Sequence, residues 1–118
     1  MQLHRGSCHC GAVRFEVQSD DILKDIYRCN CSLCQKKGIV MKAEHKFHFR
    51  LTAGAESLLC YQWNKKIAKH YFCKNCGVYT HHKRRRDPNE ISVNIACLDD
   101  IDMPADADIK LANGQEHD

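Results

Sequence analysis

The sequence predicts a small, mainly β domain. Three observations carry that prediction. Short segments alternate apolar and polar residues along most of the chain, turn-forming residues fall between those segments, and helical patterning is scarce. At 12–17, Val13, Phe15 and Val17 alternate with Ala12, Arg14 and Glu16, the pattern of a half-buried strand. At 45–52, Phe47, Phe49 and Leu51 alternate with His48 and Arg50 in the same way. Residues 57–63, Ser-Leu-Leu-Cys-Tyr-Gln-Trp, are of types that suit a sheet. Residues 69–73 and 77–82 read as two strands joined by a Cys-x-x-Cys turn, and 91–98 puts Ile91, Val93, Ile95 and Cys97 on one face. The stretches 52–57 and 85–90 read as turns, the second through Asp87-Pro88-Asn89. A short helical turn is expected after Cys34, stopped by Gly38. The polar tail 113–118 is expected to fray.

The 118 residues suit one domain with a core at about 4–100, and 43% hydrophobic residues allow a modest core. No stretch approaches the ~20 apolar residues of a membrane span, and the N-terminal residues 1–11 lack the apolar run of a secretory signal. A soluble, cytoplasmic protein with no membrane partner is expected. The nine cysteines then read as metal ligands rather than disulfides, because a reducing compartment disfavours the latter. Metal binding also removes thiol protons. Seven ligand thiolates and two zinc ions would bring the formal charge of +3 to near zero, which argues against a nucleic-acid partner.

Seven cysteines fall at ligand spacings: Cys8 and Cys10; Cys29, Cys31 and Cys34; and Cys73 and Cys76. Cys8/Cys10 with Cys73/Cys76 makes a complete tetrahedral set, the pattern of a closed structural zinc site. The other partition, in which Cys29, Cys31 and Cys34 recruit Cys73 or Cys76, strands a cysteine and is not excluded by spacing. Under the first, Cys29, Cys31 and Cys34 are three ligands with a fourth position open, as in catalytic zinc, and a thiol arriving there would bind as thiolate. Closure by Cys60, Cys97 or a histidine is the competing structural reading. Lys36 and Lys37 follow the triplet and could steer an anionic substrate.

These residues resemble the glutathione-dependent formaldehyde-activating family, whose domain is shared with centromere protein V. The matching stretches are GSCHCGAVRFEV, RCNCSLCQKKG, KHYFCKNCGVY and ISVNIACLDD, in the family's order from Gly6 to about Asp100. The resemblance implies a single domain with an antiparallel β-tent fold stabilised by zinc. It implies a structural zinc on Cys8, Cys10, Cys73 and Cys76, and a second, more labile zinc on Cys29, Cys31 and Cys34 as the catalytic set. It implies a carbon–sulfur lyase or synthase that condenses glutathione, or a similar small thiol, with formaldehyde or a related aldehyde. Cys31, central in its cluster, is expected to be the most exchangeable ligand. A zinc-stabilised binding module with a protein or chromatin partner is the alternative.

Other residues carry weaker expectations. His70 reads either as a hydrogen-bond donor to a thiolate or as a half-buried histidine on a backbone carbonyl. His81 and His82 read as surface or strand residues on opposite faces. The basic run 83–86 reads as a solvated hairpin end, with no interleaved aromatics for base stacking. Trp63 reads as core or edge packing, Cys60 and Cys97 as small apolar side chains, Ser32 as a turn cap, and Asn75 as part of the tight knuckle.

Overall fold

A computed structural model describes residues 1–63 and 65–112. Ten strands dominate. In chain order they are β1 (Gln2–Ser7), β2 (Arg14–Ser19), β3 (Tyr27–Cys29), β4 (Met41–His45) and β5 (Phe49–Ala53), then β6 (Leu58–Tyr61), β7 (Lys69–Cys73), β8 (Tyr79–Lys83), β9 (Glu90–Asn94) and β10 (Lys110–Ala112). One short helix, α1, spans Ser32–Lys37. Among the described residues no helix is long and apolar enough to cross a membrane.

The strands form two sheets. A three-stranded sheet runs β1-β2-β5, and a seven-stranded sheet runs β10-β3-β4-β9-β8-β7-β6. Every pairing is antiparallel except β10 with β3, which is parallel. Alternation explains β2 well: Phe15 and Val17 point inward and are buried. They meet Val93 of β9 and the linking residues Ile26, Val40 and Ile95 in the main core. The buried side chains of both sheets thus share one apolar interior, the main source of stability for a domain this small.

Three expectations needed correction. Phe47 is 81% exposed, because residues 46–48 form a 3-10 turn instead of continuing a strand. His45 Nδ1 accepts the Phe47 N–H at 3.2 Å and fixes that turn. Cys60 is exposed rather than packed, because β6 is the outer strand of its sheet and pairs only with β7. The segment at 91–98 stops being a strand at Asn94, whose Oδ1 accepts the Ala96 N–H at 3.1 Å and starts a 3-10 turn. Cys97 remains buried, as expected. The helical turn after Cys34 forms, with Gly38 as its left-handed cap and the Gly38 N–H on the Cys34 carbonyl at 2.9 Å. The tail 113–118 lies outside the described residues.

Candidate metal centres and active site

The first cluster is built from two turns. Cys8 and Cys10 lie just beyond β1. The Cys8 N–H reaches the Val13 carbonyl at 3.1 Å and the Gly11 N–H returns to the Cys8 carbonyl at 3.3 Å. Cys73 ends β7, and the Gly77 N–H closes the knuckle on its carbonyl at 2.8 Å. Gly11 and Gly77 both have φ near +80°, at 81° and 76°, which a side chain would strain. The two turns meet because β1 and β7 end at the same place in the fold. Cys8, Cys10, Cys73 and Cys76 bring their four Sγ atoms within 4.8 Å of one another. Cys8 and Cys10 are 3.6 Å apart at sulfur, and Cys10 and Cys73 are 3.7 Å apart. Tetrahedral zinc with ~2.3 Å bonds needs sulfurs about 3.8 Å apart. Backbone N–H groups of Val13 and Asn75 point at the Cys8 and Cys73 sulfurs at 3.3 and 3.4 Å, a contact that favours thiolate. The N–H groups of Cys10 and Val78 hold the Cys76 thiol down to about 6. This donor set fits a divalent thiophilic cation such as zinc.

The second cluster is more local. Cys29 ends β3, Cys31 is the N-cap of α1, and Cys34 lies within that helix. Capping turns the Cys31 sulfur inward: the Cys34 N–H donates to it at 3.4 Å. Ser32, expected as the cap, instead is the first helical residue. The three Sγ atoms of Cys29, Cys31 and Cys34 also lie within 4.8 Å of one another. The Cys29 thiol beside it, and then burial, push Cys34 far above an ordinary thiol, while burial first raises Cys31. Three crowded thiols resist ionising together without a cation, and a dication would offset that repulsion. Among the described residues no histidine, carboxylate or further cysteine joins the three. Cys60 is exposed on the sheet edge, and the buried Cys97 instead directs its Sγ to the Tyr79 carbonyl at 3.5 Å.

The two clusters differ in what adjoins them. Cys29, Cys31 and Cys34 all line a cavity of about 470 Å³, and none of Cys8, Cys10, Cys73 and Cys76 does. The volume is that of an ordinary small-molecule site. Met41 and Trp63 supply apolar wall, so Trp63 lines the cavity as well as packing against the second cluster.

His70 and His82 stand on the same wall. They are cross-strand partners in the β7–β8 hairpin, with ring centroids 5.2 Å apart. His70 Nδ1 pairs with the Tyr79 hydroxyl at 3.0 Å, a partner the sequence did not suggest. Lys37 Nζ sits 3.6 Å above the Tyr79 ring, and burial lowers it to about 8. His81 and His82 do lie on opposite faces, yet neither is at the surface. His81 packs against Phe49, with centroids 4.6 Å apart, and burial brings it down to about 4. Burial, and next the charge of His70, hold His82 well below the usual histidine range, so it is neutral at pH 7. Its Nδ1 is buried with no hydrogen-bond partner among the described residues.

The basic run does lie at a hairpin end, between β8 and β9, with Arg86 exposed, but it has a second role. Arg84, Arg85 and Arg86 line the same cavity. Sequence reasoning missed these arginines and the two histidines as one wall. The register of the hairpin, which pairs His70 with His82, was the signal that would have joined them.

A model of the family described as glutathione-dependent formaldehyde-activating enzyme matches residues 3–112. A Halomonas elongata protein, provisionally named a glutathione-dependent formaldehyde-activating enzyme, is 34% identical over 83 residues. That alignment takes in 64% of this chain and 52% of the relative, so the chain spans about half the length of that curated protein. A crystal structure of a Rhodobacter sphaeroides protein is similar with a TM-score of 0.85 and 40% identity, over 92% of this chain and 99% of the other.

Proposed function

The chain belongs to the glutathione-dependent formaldehyde-activating family, and on that premise we propose that it forms and cleaves the carbon–sulfur bond between a small thiol, such as glutathione, and formaldehyde or a related aldehyde. The observation that carries the reading is the asymmetry between the clusters: the four-cysteine set is closed, and the three-cysteine set faces a cavity. A binding module would need no cavity beside its second site.

In this reading Cys8, Cys10, Cys73 and Cys76 hold a structural zinc, and Cys29, Cys31 and Cys34 hold the second. Zinc there, when bound, supplies the positive charge that lowers the pKa of an incoming thiol. The chain's own residues do the rest. Met41 and Trp63 limit water around the reacting atoms. The substrate sulfur, having lost its proton, attacks the carbonyl carbon, and the carbon–oxygen π pair moves to oxygen. That alkoxide faces the His70–His82 wall, where a neutral imidazole N–H can donate a hydrogen bond to it, and it takes its proton from water, which received the one the thiol gave up. Reversal returns the proton, expels the sulfur and frees the aldehyde.

Two measurements test this. Exchange NMR with ¹³C-formaldehyde and glutathione reads interconversion of hydrate and S-hydroxymethyl adduct directly. The protein should accelerate it, and Cys31→Ser should abolish the acceleration. Native mass spectrometry should show two zincs in the parent, one easily lost, and a glutathione adduct absent from Cys31→Ser. No acceleration together with two inert zincs would overturn the reading in favour of a binding module.

A further inference from the structure

The wall beside the three sulfurs is apolar. Tyr27 and Met41, both buried, and the half-buried Trp63 and Ala112 pack in one cluster with Cys29, Cys31 and Cys34. All four also line the cavity. A strained turn extends that wall. Lys66 has φ 56°, a left-handed backbone that residues other than glycine seldom adopt. Two hydrogen bonds hold it there: the Lys66 N–H donates to the Trp63 carbonyl at 2.9 Å, and Gln62 Nε2 donates to the Lys66 carbonyl at 2.9 Å. Backbone strain of this kind persists where surrounding contacts fix it, and it gathers at ligand sites. The turn sets both Trp63 and Ile67 on the cavity. Ile67 is 50% exposed there, an isoleucine whose apolar face meets water at the opening. Formaldehyde makes no use of such a wall. Its carbonyl carbon bears two hydrogens and sits against the sulfur that attacks it, while the cavity measures about 470 Å³. Apolar surface that a substrate leaves wet adds nothing to binding.

We propose that the aldehyde carries an apolar substituent, an alkyl chain or an aryl ring, and that Trp63, Met41 and Ile67 select it over formaldehyde. The reaction rests on the thiol–aldehyde function proposed above; the apolar subsite can be tested without it. The step keeps its balance with a larger aldehyde. The thiolate sulfur bonds to the substituted carbonyl carbon and the π pair moves to oxygen. The alkoxide then takes its proton from water, which received the one the thiol gave up. The product is a hemithioacetal whose substituent lies along the Trp63 wall.

The first measurement holds glutathione constant and compares formaldehyde, butanal and benzaldehyde by exchange NMR, each rate divided by that aldehyde's own uncatalysed rate. The enhancement should be at least about tenfold greater for butanal or benzaldehyde than for formaldehyde, since each matching methylene in an apolar site is worth about that much. Trp63→Ala and Ile67→Ser should both reduce that advantage. The second measurement involves no chemistry. Trp63 is the only tryptophan in the chain and lines the cavity, so its fluorescence reads occupancy. S-butylglutathione and S-methylglutathione carry the carbon skeletons of the butanal and formaldehyde adducts but cannot react. The zinc-loaded protein should bind the S-butyl compound about tenfold tighter or more. Ile67→Ser should shrink that margin with zinc content unchanged. Equal binding of the two, or a margin that Ile67→Ser leaves intact, overturns the proposal. An enhancement greatest for formaldehyde also overturns it, and leaves the catalytic reading standing. If the S-butyl preference holds and responds to Ile67→Ser while no aldehyde is accelerated, the catalytic reading fails and the apolar subsite stands.

Discussion

Serine substitution of three buried cysteines separates metal ligation from ordinary packing. Cys73 is fully buried, and its Sγ lies 3.7 Å from that of Cys10, linking chain positions 63 residues apart. Cys34 and Cys97 are each 7% exposed, but Cys34 belongs to the local three-cysteine set and Cys97 to neither set. Without a ligand role, Cys→Ser at such sites buries a hydroxyl that lacks a good partner, at a cost of about 1–3 kcal/mol. A structural zinc contributes apparent binding free energy of about 10–16 kcal/mol, against a net folding stability of about 5–15 kcal/mol. Losing most of the metal's contribution at Cys73 therefore removes about as much free energy as the whole fold's margin. Cys73→Ser should be unfolded at 25 °C. Cys34→Ser and Cys97→Ser should fold, with midpoints lower by roughly 4–8 °C for each kcal/mol lost. Thermal melts followed by circular dichroism, with zinc per chain from atomic emission, read both quantities: Cys34→Ser should lose its second zinc, and Cys97→Ser should keep two. If Cys34→Ser unfolds as badly as Cys73→Ser, or Cys73→Ser costs no more than Cys97→Ser, the division of the cysteines is wrong.

Two further predictions concern the interior. Tyr27 Oη and Ser92 Oγ pair at 2.5 Å, and Ser92 is fully buried. Tyr27→Phe should cost about 1–3 kcal/mol by orphaning the serine hydroxyl, whereas Ser92→Ala leaves a phenol that borders the cavity and can meet water, so it should cost less. Urea midpoints of the two variants give the order, and the reverse order would contradict it. Burial lowers His81 from 6.5 to about 4. The unfolded chain therefore takes up a proton here first as pH falls, so stability drops from about pH 6.5 downward and levels off near pH 4. Between pH 6.5 and 5 the loss from this one residue is about 2 kcal/mol. His81→Gln should flatten the fall in denaturant midpoint over that range; an unchanged slope would rule His81 out as its source.

The local features of this protein were legible in its sequence for physical reasons. Alternation placed Phe15 and Val17 inward, and a cysteine two or three residues from another is well placed to hold one ion from the same turn. Gly38 could be read as a helix stop because the left-handed cap costs glycine little. Phe47 misled because alternation registers only the period of a segment, whereas the His45 side chain capped a turn there. Cys60 misled because nothing in residues 57–63 says that their strand lies at a sheet edge with one face uncovered. Strands β1, β3, β4 and β10 went unread: β3 and β10 are three residues each, too short to show a period.

By itself the sequence determined which residues could be ligands and how many each turn could offer, because those spacings are set by a few consecutive backbone dihedrals. Tertiary structure alone decided that Cys8 and Cys10 meet Cys73 and Cys76, that the other three cysteines border a cavity, and that two histidines and a run of arginines share its wall. Those outcomes depend on the register of β7 against β8 and on where distant strands end. Register is the sum of many weak cross-strand contacts, none of which is written in any one stretch of the chain.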